Sequence, residues 1–274
     1  MHILDRPEFK EFINTPTYAD QPYLFHEGGS KVDWYEMDTE DRFKENLKKY
    51  PNNKHLEYYL ENPHNYRLNR NGFRSNDEFE TKAAGNVFLG CSHTFGIGHS
   101  LENTWSYLVN KEVGGKFFNL SIPGTGSGTA LRTLLAWYTK LNIKNIFHFA
   151  PLYPRYEHLV EDKYITLNCT HSNFDTGKLK HTLIHESSIR NYTLTNILAI
   201  QAIATKLNIP YYSVTDEEAH NRHETYHDDE YGDNILARDL VHYSTSQHKL
   251  FSEIFLERKA SDTKHSLYTR RSQT

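Results

Sequence analysis

The chemistry-bearing residues of this chain gather at three places. The first is Gly90-Cys91-Ser92-His93-Thr94-Phe95-Gly96-Ile97-Gly98, which follows the short apolar run Asn86 to Leu89. Glycines at 90, 96 and 98 free the backbone for a tight turn and leave Ser92 just past a strand's carboxyl end, where a nucleophile would sit. Such a turn also serves simply to join a strand to a helix. The second is Asn119-Leu120-Ser121-Ile122-Pro123-Gly124-Thr125-Gly126-Ser127-Gly128. A glycine-rich bend there can present backbone N–H groups to a developing oxyanion, with Gly124 the best candidate donor. The third is Arg238-Asp239-Leu240-Val241-His242. Asp and His three apart on a turn face one side, so the carboxylate can hold imidazole Nδ1 and aim Nε2 at a hydroxyl.

Other arrangements compete. His220, His223 and His227, followed by Asp228, Asp229 and Glu230, offer imidazole and carboxylate donors of the kind zinc takes, but the H-x2-H-x3-H spacing matches no known scaffold, and 17 histidines make clustering unremarkable. His171, His181 and His185 are read in the same way, and no metal or other cofactor is expected. Cys91 beside His93 could act as a thiol nucleophile, although Ser92 is better placed. Neither GxGxxG nor GxxxxGK[ST] is present, which argues against a phosphate-binding loop.

These groups must be positioned by a scaffold, and from Gly85 onward the chain alternates apolar runs with helical stretches. Strands are expected at Asn86 to Leu89, Phe117 to Ser121, Asn145 to Ala150 and Ile209 to Val214. Helices are expected at Asn103 to Glu112, Gly128 to Leu141, Ser188 to Leu207 and Thr245 to Arg258. This is the pattern of a doubly wound α/β domain, whose ligands bind at the carboxyl ends of the strands. Tyr153 to Ser187 and Thr215 to Arg238 break the alternation and would overhang that crevice. Residues 1–80 are polar, aromatic and without an obvious catalytic cluster. They read as an accessory extension whose aromatics pack on the main domain, which spans 81–258, and 259–274 read as a disordered tail.

Taken together, the three blocks resemble the SGNH hydrolases, the GDSL esterase/lipase family. The first block, Gly-Asp-Ser-x-(Thr/Ser)-x-Gly, corresponds to Gly90 through Gly96, the second-block glycine to Gly124, and the Asp-x-x-His block to Asp239 and His242. Tyr66 through Ser75 is similar to the Y-x-x-N-x-x-G-F-R stretch that many members carry upstream. The resemblance implies a three-layer α/β/α fold with a flavodoxin-like, mainly parallel sheet and an N-terminal extension. It implies Ser92 as nucleophile, His242 as general base and then acid, Asp239 as the group that orients His242, and the N–H groups of Ser92 and Gly124 as oxyanion donors. Two departures stand out. Cys91 replaces the family's Asp, and His148-Phe149-Ala150-Pro151-Leu152-Tyr153-Pro154-Arg155 lacks the third-block Asn. His93, Tyr153 and Arg155 are the groups at hand to contact substrate or oxyanion. The expected activity is hydrolysis of a short acyl ester, acetyl above all, on a polar carrier such as a carbohydrate. The alternatives are transfer to a sugar hydroxyl, or a binding or structural role after loss of chemistry.

Composition agrees with a folded domain. Of 274 residues, 37% are hydrophobic and 14% aromatic, more than a disordered chain carries. The net charge of -4 argues against a broad nucleic-acid surface, and no apolar run approaches the roughly 18 to 20 residues that cross a bilayer. Two cysteines and a charged start without an apolar stretch lead to the expectation of a cytoplasmic protein acting on a small-molecule or carbohydrate ester.

Overall fold

The computed structural model describes residues 28–79, 82–151, 155–160, 163–168, 186–223 and 235–271. Its centre is a parallel sheet of β3 (Gly85–Leu89), β4 (Lys116–Asn119), β5 (Ile143–Ala150) and β8 (Tyr211–Thr215), in the spatial order β4-β3-β5-β8. In chain sequence these are the second, first, third and fourth core strands, the flavodoxin-like order. Strand ends differ from expectation by up to two residues. Leu120 and Ser121, for example, have already left β4, although Leu120 N–H still donates to the Phe88 carbonyl at 2.9 Å.

The period-2 alternation along each strand sends side chains to two cores. Val87, Leu89, Phe118 and Ile146 face one side, where they pack with Leu134 and Trp137 of α5 (Ser127–Trp137) and Ile200 and Ile203 of α6 (Glu186–Lys206). Phe88, Phe117, Phe147 and Phe149 face the other, against Trp105 of α4 (Trp105–Val113) and Phe251 and Phe255 of α8 (Thr245–Arg271). With both faces covered, the strands read as apolar runs, which is why they were visible in the sequence. These layers form the expected three-layer α/β/α sandwich.

Two expectations change. The last helix does not stop at Arg258 but runs to Arg271. The stretch beyond Arg258 is polar, yet it contains neither Gly nor Pro, so nothing in it breaks a helix already nucleated by α8's packed half. The insertion after β5 contains an antiparallel hairpin, β6 (Arg155–Val160) with β7 (Lys163–Asn168), and the one after β8 opens with α7 (Asp216–His223).

Upstream of the sheet, β1 (Lys31–Val32) pairs antiparallel with β2 (Tyr66–Arg67). Between them, α1 (Glu40–Lys49) starts at Thr39, whose hydroxyl accepts from the Arg42 N–H, and α2 (Lys54–Glu61) starts at Asn53, whose side chain accepts from His55 and Leu56. Pro51 separates the two, as its missing N–H requires. Among the described residues, no helix is long and apolar enough to cross a membrane.

Candidate active site

Ser92 opens a single helical turn, α3 (Ser92–Phe95), at the carboxyl end of β3 and is buried. The turn is short because Gly96 leaves it in the left-handed conformation, φ 85°, with its N–H on the Ser92 carbonyl at 2.7 Å. Carbonyls at the end of so short a helix need donors. Arg74 supplies them: Nη1 donates to the carbonyls of Phe95 at 2.9 Å and Gly96 at 2.5 Å, and Nη2 to that of His99 at 2.7 Å. The guanidinium lies 4.4 Å from the Tyr66 ring centre. Burial brings the Arg74 pKa down to about 10, so it remains a cation at neutral pH. Arg74 belongs to the upstream stretch whose sequence resemblance had assigned it no role.

Asp239 and His242 are brought together as the spacing predicts. Asp239 Oδ1 accepts the N–H groups of Val241 (3.0 Å) and His242 (3.1 Å), and Oδ2 accepts from His242 Nδ1 at 2.6 Å. The proton is thereby held on Nδ1, and Nε2 is left with the lone pair a general base needs. Leu240 absorbs the sharp bend with φ 56°. Burial pushes the Asp239 carboxyl up, but the hydrogen bond and charge of His242 and the two backbone donors outweigh it, and the net shift is downward. The carboxylate form is thus the one the fold favours.

The serine and histidine turns are fastened to each other. Arg238 N–H donates to the Gly98 carbonyl at 2.9 Å, and His99 Nε2 donates to the Tyr243 carbonyl at 2.5 Å. His93, next to the serine, stacks on Tyr243 with ring centres 4.0 Å apart and has its centre 5.4 Å from that of His242. Burial first, then the charges of His242 and Arg155, hold His93 well below the ordinary histidine pKa, so it is neutral. Among the described residues, no hydrogen bond joins the Ser92 hydroxyl to His242. Catalytic hydrogen bonds are often long in a ligand-free site and tighten on the substrate.

Gly124 enters from the neighbouring loop, which runs beside the serine turn through Ile122 N–H on the Gly90 carbonyl at 3.4 Å. Its φ of 72° is one that side-chain-bearing residues avoid. Arg155 is committed to the same loop, with Nη1 donating to the Thr125 carbonyl at 3.1 Å. Tyr153 lies outside the described residues.

The segment read from the sequence as an accessory extension packs its aromatics on the main domain, as Tyr35 and Tyr66 do on Phe95, and also sends polar groups to the candidate site. Asp38 lies within that segment and accepts from Arg238 Nε (2.9 and 3.0 Å) and Nη2 (2.7 Å) and from the Tyr66 hydroxyl (2.5 Å). It therefore anchors the residue adjacent to Asp239. Two residues earlier, Glu36 reaches the site itself: its Oε1 and Oε2 lie 3.7 and 4.0 Å from the point where a Cβ on Gly124 would be, and it feels the charges of His242 and Arg155. No sequence signal marks Glu36, which sits in Trp34-Tyr35-Glu36-Met37-Asp38 without a turn-forming residue beside it.

The metal reading gains no geometry. Among the described residues, no group of three or more His, Cys, Asp or Glu could hold an ion. His220 and His223 fall in α7 with side chains outside the described set, and His171, His181, His185 and His227 through Glu230 lie outside it altogether.

The architecture is that of a doubly wound α/β protein, with the candidate residues at the carboxyl ends of its strands, where this class binds ligands. No family model matches the chain, and no curated protein matches it.

Proposed function

We propose that the protein is a serine esterase that cleaves a short acyl ester, acetyl above all, from a polar carrier such as a carbohydrate. The observation that carries the reading is the 2.6 Å Asp239–His242 bond on a turn fastened to the one that bears Ser92. In this mechanism the Ser92 hydroxyl attacks the ester carbonyl while His242 Nε2 takes its proton. The tetrahedral oxyanion is met by the N–H groups of Ser92 and Gly124. Collapse expels the carrier's alkoxide, which receives the proton from His242, and leaves an acyl-serine. Water, deprotonated by the same nitrogen, then releases the acid and regenerates Ser92. Asp239 keeps Nδ1 protonated throughout and stabilises the imidazolium.

A fluorophosphonate probe and p-nitrophenyl acetate test this. Wild type should label and hydrolyse, and Ser92→Ala should do neither. His242→Ala should lose about 1,000-fold or more in kcat with its fold intact. Well-folded wild type that neither labels nor hydrolyses would sink the reading.

A further inference from the structure

Glu36 stands out from every other charged group near the site. It occupies the tip of a two-residue turn closed by reciprocal backbone bonds between Tyr35 and Asp38, N–H to carbonyl at 3.0 and 3.1 Å. At that tip its φ is 52°, a conformation usually left to glycine or asparagine. The turn is gripped on both sides. The Tyr35 ring packs on Phe95 of the serine turn with centres 4.8 Å apart, and Asp38 is locked to Arg238. The backbone thus pays a conformational cost to hold a glutamate here, and residues held this way cluster where a ligand is met.

The carboxylate itself has no hydrogen bond to any described residue. Arg155, whose charge it feels, spends Nη1 on the Thr125 carbonyl. Glu36 is half-buried, and partial burial of its carboxyl raises its pKa, the mark of an acceptor that loses part of its hydration without a protein donor in return. Such a group, a few ångströms from the oxyanion donor Gly124, is completed by a donor that arrives with the ligand.

We propose that Glu36 is a specificity residue of this site, whose carboxylate accepts a hydrogen bond from a hydroxyl or ammonium carried next to the ester, so that polyol and amino-sugar esters are selected and anionic esters repelled. The proposal rests on the esterase reading above and adds the substrate class. A site built to bond a donor discriminates against an analogue that lacks it, because the half-buried acceptor is then covered by ligand and left unpaired.

The test compares kcat/KM for mono-O-acetyl methyl glucoside, its O-methylated counterpart, O-acetyl glucosamine and acetylsalicylate, in wild type, Glu36→Gln and Glu36→Gly. Wild type should prefer the hydroxyl ester to the O-methylated one, or the ammonium ester to both, by about tenfold or more, and whichever preference appears identifies the donor. Glu36→Gln should lower that preference at least severalfold and improve acetylsalicylate relative to the neutral esters. Glu36→Gly should do the same without a fall in melting temperature, since glycine suits the turn. Preferences that survive both substitutions, or are absent from wild type, overturn the proposal. If wild type hydrolyses none of these esters, the esterase reading fails first. Calorimetry of glucosamine and methyl glucoside on the wild-type protein then decides the contact: binding weakened by Glu36→Gln supports it, and no binding, or binding indifferent to that change, overturns it.

Discussion

Two buried arginines brace the two halves of the candidate site, and they do so in opposite electrostatic styles. Arg74, behind the serine turn, gives its hydrogen bonds to three neutral carbonyls, and among the described residues its Nε has no partner. Arg238, behind the histidine turn, gives three to the Asp38 carboxylate and others to the carbonyls of Asp33 and His64. The first is a shaped donor for a helix end that cannot satisfy itself. The second is half of an ion pair whose other half lies 200 positions earlier in the sequence. Removal of a partner therefore has different consequences: loss of Arg74's bonds leaves carbonyls unmet, whereas loss of Asp38 leaves a bare charge in the interior.

The largest expected effect separates both arginines from the histidines around them. His64, His99, His148 and His248 are buried and His93 is half-buried, and desolvation lowers each below its ordinary pKa, to about 4 for His99 and about 3 for His148. With folded pKa values depressed, the unfolded chain binds the extra protons. Stability is full above about pH 6.5 and falls as pH drops from there toward the folded values, by up to about 1.4 kcal/mol per pH unit for each histidine. Urea midpoints should collapse between about pH 6.5 and 5, while Arg74, brought down only to about 10, keeps its charge. A midpoint flat across that window would show the histidines to be charged in the fold.

Next in size is Asp38→Ala, expected to cost about 3–5 kcal/mol because Arg238 is left buried and unpaired. Denaturant unfolding at pH 7.5 measures the loss, and activity should fall with it because Asp239 follows Arg238. Arg74→Lys should cost less, about 1–3 kcal/mol, since a single ammonium cannot reach three carbonyls at once. If the two losses came out equal, the distinction between carbonyl brace and ion pair would not hold. Gly98→Ala probes the seam between the turns. A Cβ there would lie 2.7 Å from that of Ala237 at a φ of 80°, so about 1–3 kcal/mol of stability should go and ester turnover should drop with it. The smallest effect belongs to Asn46→Ala, which removes a 3.4 Å bond to the Asp239 carbonyl and should shift the urea curve by about 0.5 kcal/mol.

What could be read from the sequence divides along the same line. Strands buried on both faces left short, mostly apolar runs, and the Asp239–His242 pair left a three-residue spacing, so both were visible locally. Strand ends were misplaced where a residue such as Leu120 stays buried after its strand has ended. Arg74 and Asp38 were visible as residues but not as braces, because what they hold lies tens to hundreds of positions away. Glu36 left no trace at all: its turn lacks the glycine or asparagine by which such turns are recognised. The third-block asparagine that the resemblance would supply has no counterpart in the sequence, and Arg155, one of the groups at hand to replace it, is tied to the loop of Gly124.

Asp38 and Arg238 are 200 positions apart. A contact that spans so much chain carries the full entropy of closing that loop and forms late, after the sheet between its ends has assembled. On a ribosome, the histidine turn cannot be locked until the 200 residues that follow Asp38 have emerged, because its carboxylate is made that far ahead of its guanidinium. A product terminated before Arg238 would carry the serine turn without the ion pair that braces the residue next to Asp239.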